Sequence, residues 1–355
     1  MSGTVIPGMA ALPLSVWGRP RARELPYPLN EPTCRLYARA RHGLYRALRE
    51  LAGSGEILVP AFHHGSEIEA FERAGLSCRF YDALTPDEAQ LEAMLTPDTR
   101  AFHLVHFIGF PQDSARWRRW CDEHGLLLVE DAAQAWLATH PDGSPVGAHG
   151  DVTVFCLYKT FGFPDGAALV TRQPTNGAVP GGPSGVLSLG MEHALWLASR
   201  TRAVAWVSDH REPQVGTVES MMGLGTPTAP CAATLAALPR IVDAGVAAER
   251  RANYRRYLEL VPELVAAPFA ELPDGASPFT FPAVFPGKPR ALESLRRHRV
   301  RALDFWTTPH PSLSVGEAPE ATELRCTVVG LPVHQELRPG DVDRVAAAAR
   351  ATLAE

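Results

Sequence analysis

The sequence predicts an α/β protein: a large domain with a mostly parallel sheet, followed by a smaller C-terminal α+β domain. Three observations lead there. From residue 35 to 172, short apolar strand signals alternate with helical patterns, as βαβ units require. Beyond that, Gly/Pro-rich stretches and a long helical region precede scattered strand and helix signals. The chain has 355 residues, enough for one large core and a second, smaller one. The large domain, with an N-terminal arm, is expected over 1–235 and the small one over 236–355.

In chain order, the apolar stretch Val5 to Trp17 reads as an arm packed on the body of the protein. Arg35 to Leu51 reads as a helix, because Leu36, Leu44, Leu48 and Leu51 recur near helical spacing. EILVPAF (Glu56 to Phe62) is a buried strand, Ser66 to Arg73 a helix, CRFYDA (Cys78 to Ala83) a strand and Asp87 to Leu95 a helix. AFHLVHFIG (Ala101 to Gly109) is a strand, and Ser114, as an N-cap, opens a helix to His124. LLLVED (Leu126 to Asp131), DVTVFCLY (Asp151 to Tyr158) and AALVTR (Ala167 to Arg172) complete the strand set. Helices follow at Met191 to Asp209 and, interrupted or kinked near Pro239, at Ala232 to Leu260. The small domain shows strands at Pro278 to Phe285 and Cys326 to Val333, and helices at Arg290 to His298 and Gly340 to Leu353.

The net charge of −5, from 34 basic and 39 acidic residues, argues against an electrostatic nucleic-acid binder. The six cysteines are spread singly, so neither a disulfide framework nor a zinc motif is supported, and a reducing, cytoplasmic setting is expected. Apolar stretches are short or broken by arginine, so no transmembrane helix is expected. The positive charges at Arg19, Arg21 and Arg23 follow the first apolar stretch, the reverse of a secretory signal.

Only two of the basic residues are lysines, Lys159 and Lys288. Arginine stays protonated, whereas a desolvated lysine can lose its proton and act as an amine nucleophile. Lys159 ends the apolar run VFCLYK in a chain that otherwise uses arginine, so it is the candidate amine. A basic side chain snorkelling out of a strand end is the plain alternative. Asp131 ends the run LLLVED, at the carboxyl edge where α/β sheets bind ligands. It reads either as a helix N-cap or as a carboxylate waiting for a cation, such as the protonated pyridine nitrogen of pyridoxal 5'-phosphate (PLP). Gln134, three residues on, reaches the same place.

The blocks EILVPAF, AFHLVHFIGFP, HGLLLVEDAAQAW and GAHGDVTVFCLYKTFGFPDGAALVT, in this order, resemble the DegT/StrS family of PLP-dependent sugar aminotransferases, which has the aspartate aminotransferase fold. The resemblance runs from about Arg39 to Arg172, and NYRRY (Asn253 to Tyr257) and LPVHQELRPGDVDRVAAA (Leu331 to Ala348) resemble the family's small domain. It implies that Lys159 forms the Schiff base with PLP, Asp131 meets the pyridine nitrogen and Gln134 lies beside the phenolic oxygen. It implies that His64 stacks on the ring and that the turn at Arg41 and His42 presents backbone amides to the phosphate, as a helix N-terminus can.

The sequence also departs from the family. Cys156 stands where a phosphate-binding serine is usual, only three residues before Lys159, and MMGLGTPTAP (Met221 to Pro230) replaces the block that reaches the neighbouring subunit's site. The resemblance implies an aminotransferase that takes an amino group from glutamate or glutamine and passes it to a keto acceptor. It implies as acceptor a nucleotide-linked keto sugar or, because that block is altered, a secondary-metabolite ketone, and it implies a homodimer. The alternatives are a dehydratase-like PLP enzyme, against which Lys159 argues, and a non-catalytic member, against which Asp131, Gln134 and Lys159 argue and which Cys156 keeps open. His63, His103, His106, His310 and His334 are scattered without ligand spacing, so no metal is expected.

Overall fold

A computed structural model describes residues 4–176 and 223–355. Seven strands form one sheet: β1 (Arg35–Tyr37), β2 (Gly55–Pro60), β3 (Leu76–Tyr81), β4 (Thr99–Val105), β5 (Leu127–Asp131), β6 (Val152–Cys156) and β7 (Ala167–Thr171), in the order β1-β7-β6-β5-β4-β2-β3. β3, β2, β4, β5 and β6 run parallel; β7 is antiparallel to β6, and β1 to β7. The central strands carry almost unbroken apolar runs because helices cover both faces, and Leu58, Val59, Phe102, Leu128 and Val129 are fully buried. These helices are α1 (Ala40–Leu51), α2 (Gly65–Ala74), α3 (Glu88–Met94) and α4 (Ser114–His124).

The strand order reverses between β2 and β4, so the loops leaving them diverge and open a crevice at the carboxyl edge. In the register, Asp131 lies between Val105 of β4 and Val154 of β6. The end of β5 is therefore central, not peripheral. After β6 the chain makes a short helix, α5 (Leu157–Phe161), which stops at Gly162 in the left-handed conformation.

Helices α6 (Ala232–Ile241) and α7 (Val246–Leu260) lead to a three-stranded antiparallel sheet, β8 (Thr280–Val284), β10 (Val328–Pro332) and β9 (Leu303–Asp304) in spatial order. With it go α8 (Lys288–Arg297), α9 (Pro319–Thr327) and α10 (Asp341–Ala354). One apolar cluster joins this unit to the large sheet: Phe62, Phe107 and Phe110 pack with Tyr254, Phe281, Phe305 and Leu331. The N-terminal arm joins the same body, with Ile6 bonded on both sides to Arg299 and Arg301.

Two local expectations are corrected. Arg35 to Tyr37 is the edge strand β1, not helix; its backbone pairs with Ala167 to Leu169, and the helix starts only at Ala40. Asp113, not Ser114, caps α4, accepting from the Arg116 amide at 3.0 Å, because the Ser114 hydroxyl donates to buried Glu130 at 2.5 Å. The long helical region is interrupted near Pro239, as expected: Pro239 sits inside α6, which ends at Ile241, and α7 starts at Val246. The helix expected at Met191 to Asp209 lies outside the described residues.

Gly109 shows how tightly the two units meet. Its φ is +91°, and a Cβ there would overlap the Ser277 carbonyl and stand 3.0 Å from the Gln134 carbonyl. Gly109→Ala is therefore expected to destabilise the protein by at least ~2 kcal/mol, from backbone strain plus a clash that no rotamer relieves. Urea denaturation read by tryptophan fluorescence checks this; a midpoint equal to the parent's refutes it.

Candidate active site

Lys159 is placed by an abrupt change of backbone. β6 ends at Cys156, extended, and one helical turn then carries Lys159 before Gly162 ends it. That turn is too short to hold itself, since its carbonyls have no following helix to accept from. The Arg250 guanidinium of α7 supplies the donors, bonding the Thr160 carbonyl at 2.8 Å and the Pro278 carbonyl at 3.3 Å. Gln335 donates to the same Thr160 carbonyl at 3.0 Å and accepts from Arg250 at 3.1 Å. Burial alone would push the Lys159 ammonium down, but Cys156, Tyr158, Asp131 and Glu67 around it outweigh burial and raise its pKa. Its Nζ stands 5.8 Å from the centre of the Phe279 ring.

Asp131 is buried at the end of β5, and its Oδ1 accepts from the Ala133 amide at 2.7 Å. No helix follows, so this is a tight turn and not an N-cap. On its other side is Glu67, the third residue of α2. Glu67 accepts from the His64 amide at 3.1 Å while the His64 side chain accepts from Ser66, which closes a capping box. The box folds the Glu67 carboxyl back over the helix start, where it hydrogen-bonds Asp131. His103 of β4 sits beneath, with Nε2 3.9 Å from Asp131 Oδ2 and neither ring nitrogen partnered. Burial lowers the His103 pKa to about 4, so it is neutral at pH 7.

His64 is placed with this group. Burial first, then Lys159 and Arg41, lower its pKa to about 4, so the ring offers a neutral face. Trp306, at φ +47°, meets it edge-on with ring centres 6.5 Å apart. Arg325 of α9 donates to the carbonyls of Ala61 and His63, at 2.7 and 3.2 Å, and so ties down the loop that carries His64.

The remaining expected residues divide. Cys156 is buried at the end of β6, where it takes the Tyr158 hydroxyl; burial raises its pKa and Lys159 lowers it. Arg41 occupies the first turn of α1 and influences both Tyr158 and His64. His42 points elsewhere: its ring bonds the Leu224 carbonyl at 2.9 Å, and its amide donates to the Arg39 carbonyl at 3.1 Å. Gln134 has its Oε1 occupied by the Ile108 amide at 2.7 Å, which leaves its NH2 as the outward donor. Lys159, Asp131, His64 and Cys156 thus share one electrostatic neighbourhood, Arg41 borders it, and the His42 side chain is committed to holding the 223–228 segment.

Sequence reasoning missed Glu67, His103, Arg250 and Arg325. Two arginines among 32 carry no compositional signal. The one available clue to Glu67 was its place three residues after His64, the capping-box spacing, with histidine standing in for serine.

Residues 38–178 match the DegT/DnrJ/EryC1/StrS aminotransferase family. The dTDP-3-amino-3,4,6-trideoxy-alpha-D-glucose transaminase of Streptomyces venezuelae is 44% identical over 140 residues, 37% of each chain. The L-glutamine:2-deoxy-scyllo-inosose aminotransferase of Streptomyces kanamyceticus is 36% identical over 95 residues, 26% of this chain and 22% of that one. The matches span well under half the length of either curated relative. The solved structure of S. venezuelae DesV in complex with a ketimine intermediate aligns with a TM-score of 0.64 at 25% identity, over 91% of this chain and 85% of that one. The chain therefore has the fold of the PLP-dependent aminotransferases, and its residues 38–178 match the DegT/DnrJ/EryC1/StrS aminotransferase family.

Proposed function

We propose that this chain is a PLP-dependent aminotransferase that moves an amino group from glutamate or glutamine to a keto acceptor, a nucleotide-linked keto sugar or a secondary-metabolite ketone. One observation carries the reading: the half-buried Lys159 amine interacts with buried Asp131 at the central carboxyl edge of the sheet. The other lysine is spent on structure, since Lys288 donates to the carbonyls of Phe305 at 2.7 Å and Arg325 at 3.0 Å and pairs with Asp304 at 2.7 Å. The family match and the aminotransferase relatives support the same reading.

The residues present fit the cofactor. Asp131 would hold the pyridinium nitrogen, Lys159 the aldehyde carbon, and the neutral His64 ring a face of the pyridine. The Gln134 NH2 is a donor for the phenolic oxygen. Arg41, in the first turn of α1, adds positive charge where a helix N-terminus already favours phosphate. When bound, PLP supplies an electrophilic carbon for the donor's amino group and a ring that accepts electrons.

The protein's own part is electrostatic. The Asp131 carboxylate helps to hold the Lys159 amine as ammonium. A second cation at Asp131 competes for that carboxylate and makes deprotonation of Lys159 easier, so cofactor entry and amine activation are linked. After its release from the cofactor, Lys159 is the base positioned to move a proton. A homodimer, in which a second copy completes the pocket, belongs to the same reading.

Mixing the purified protein with PLP is expected to give a visible absorbance band that survives gel filtration. Lys159→Ala should not retain that band, and glutamate or glutamine should bleach it in the parent. A parent that keeps no PLP overturns the enzyme reading. Asp131→Asn preserves size and the turn but removes the charge, and is expected to lower kcat by about a hundredfold or more. Single-turnover bleaching measures this, and an unchanged rate contradicts the role given to Asp131.

A further inference from the structure

We propose that Glu67 is a neutral carboxylic acid that donates its proton to Asp131, so that the two side chains act as a one-proton pair and Glu67 sets how much charge Asp131 can offer a cofactor. The role toward a cofactor rests on the reading above; the proton pair belongs to the chain itself.

Geometry requires a shared proton. The capping box holds the Glu67 carboxyl within 4.8 Å of Asp131, both side chains are buried, and two facing carboxylates without a proton between them repel. The proton belongs on Glu67. Asp131 accepts a short amide bond of 2.7 Å from Ala133, whereas Glu67 accepts one longer bond of 3.1 Å from His64. Burial, then Asp131, lift the Glu67 pKa well above the ordinary carboxyl range, against Lys159. The other groups facing Glu67 do not reverse this. His103 and His64 are neutral, and Cys78 and Tyr81 of β3 are raised by burial. Arg325 spends its donors on the Ala61, His63 and Trp306 carbonyls.

The consequence is chemical. An Asp131 carboxylate that already accepts an acid proton is less basic, and holds a pyridinium proton less firmly, than one that accepts amides alone. Glu67 is thus a positioning residue acting through Asp131.

Infrared spectra of the full chain at pH 7 test the pair without any cofactor. The parent is expected to show the C=O stretch of a protonated carboxylic acid, shifted in heavy water and absent from Glu67→Gln, which retains the capping box and a donor to Asp131. Stability gives a second readout. The folded state keeps a proton that the unfolded state loses above the ordinary glutamate pKa of about 4.3, so the parent's Tm falls as pH rises from there toward the Glu67 pKa. Glu67→Gln should lack that decline. With PLP bound, Glu67→Leu, which has no donor, should shift the pH midpoint of the visible band, and Glu67→Gln should follow the parent. Absence of the acid band, with equal pH–Tm curves, overturns the pair whether or not PLP binds. The ligand atoms of Glu67, His103 and Asp131 lie within 4.8 Å of one another. Tight Zn2+ uptake by the parent, lost in Glu67→Gln and without an acid band, would therefore also overturn it, in favour of a cation site. A parent that shows the band but no PLP binding keeps the pair and removes its proposed use.

Discussion

Two buried guanidinium groups hold the site together, and neither is neutralised by an ion pair among the described residues. Arg250 spends its donors on the carbonyls of Thr160 and Pro278 and on Gln335. Arg325 spends its own on the carbonyls of Ala61, His63 and Trp306. Burial lowers the pKa of each to about 10, which leaves both charged at neutral pH. Burying a cation without a counter-charge is costly, and carbonyl oxygens are what offset it here. The carbonyls chosen are those that close the Lys159 turn and the loop that carries His64. Both arginines come from the C-terminal unit, so the reactive edge of the large sheet is completed by chain ninety or more residues away. This explains how a five-residue helix and a loop, neither stable by itself, present their side chains in one arrangement.

The strand period then separates two acids that adjoin in sequence. Glu130 and Asp131 point to opposite faces of β5. Glu130 is fully buried and accepts from Ser114 at 2.5 Å, the His149 amide at 2.9 Å and His106 Nε2 at 3.0 Å. The His106 Nδ1 accepts the Gln112 amide at 3.0 Å, which assigns the ring proton to Nε2. Burial works against the Glu130 charge, but these donors hold its pKa below the ordinary range. Glu130 is therefore a structural anion that fastens α4 and the turn after β4, whereas Asp131 faces Glu67, His103 and Lys159. The motif ED carries one acid for the fold and one for the chemistry.

Much of this was legible in the sequence, for identifiable reasons. The strands from Glu56 to Arg172 are apolar runs bounded by turn residues, and their alternation with helices led to the parallel sheet. Lys159 stood out because lysine is rare in this chain, and Asp131 because it ends a buried strand. What was hidden is tertiary. Arg35 to Tyr37 has helical leucine spacing downstream and becomes a strand only because β7 offers it an edge. Ser114 looks like a cap, yet Glu130, buried sixteen residues on, takes its hydroxyl. His42 sits at the expected helix start, but its ring is drawn to the Leu224 carbonyl, which no local pattern announces.

Glu67 is the instructive case, because local and long-range physics agree on its position and disagree on its charge. As the third residue of α2 it belongs where the helix dipole favours an anion. The capping box needs its oxygen, not its charge, and glutamine would serve equally. Once β5 brings Asp131 against it, burial and the second carboxylate act together, and both favour the neutral form. The helix end can offset only a fraction of that, since a dipole interaction amounts to about 0.3–1 kcal/mol at exposed sites and up to about 2 kcal/mol when partly buried. The same side chain that starts a helix thereby becomes an acid in the site, and the charge of the edge is set by one proton between a helix-start acid and a strand-end acid rather than by the count of carboxylates.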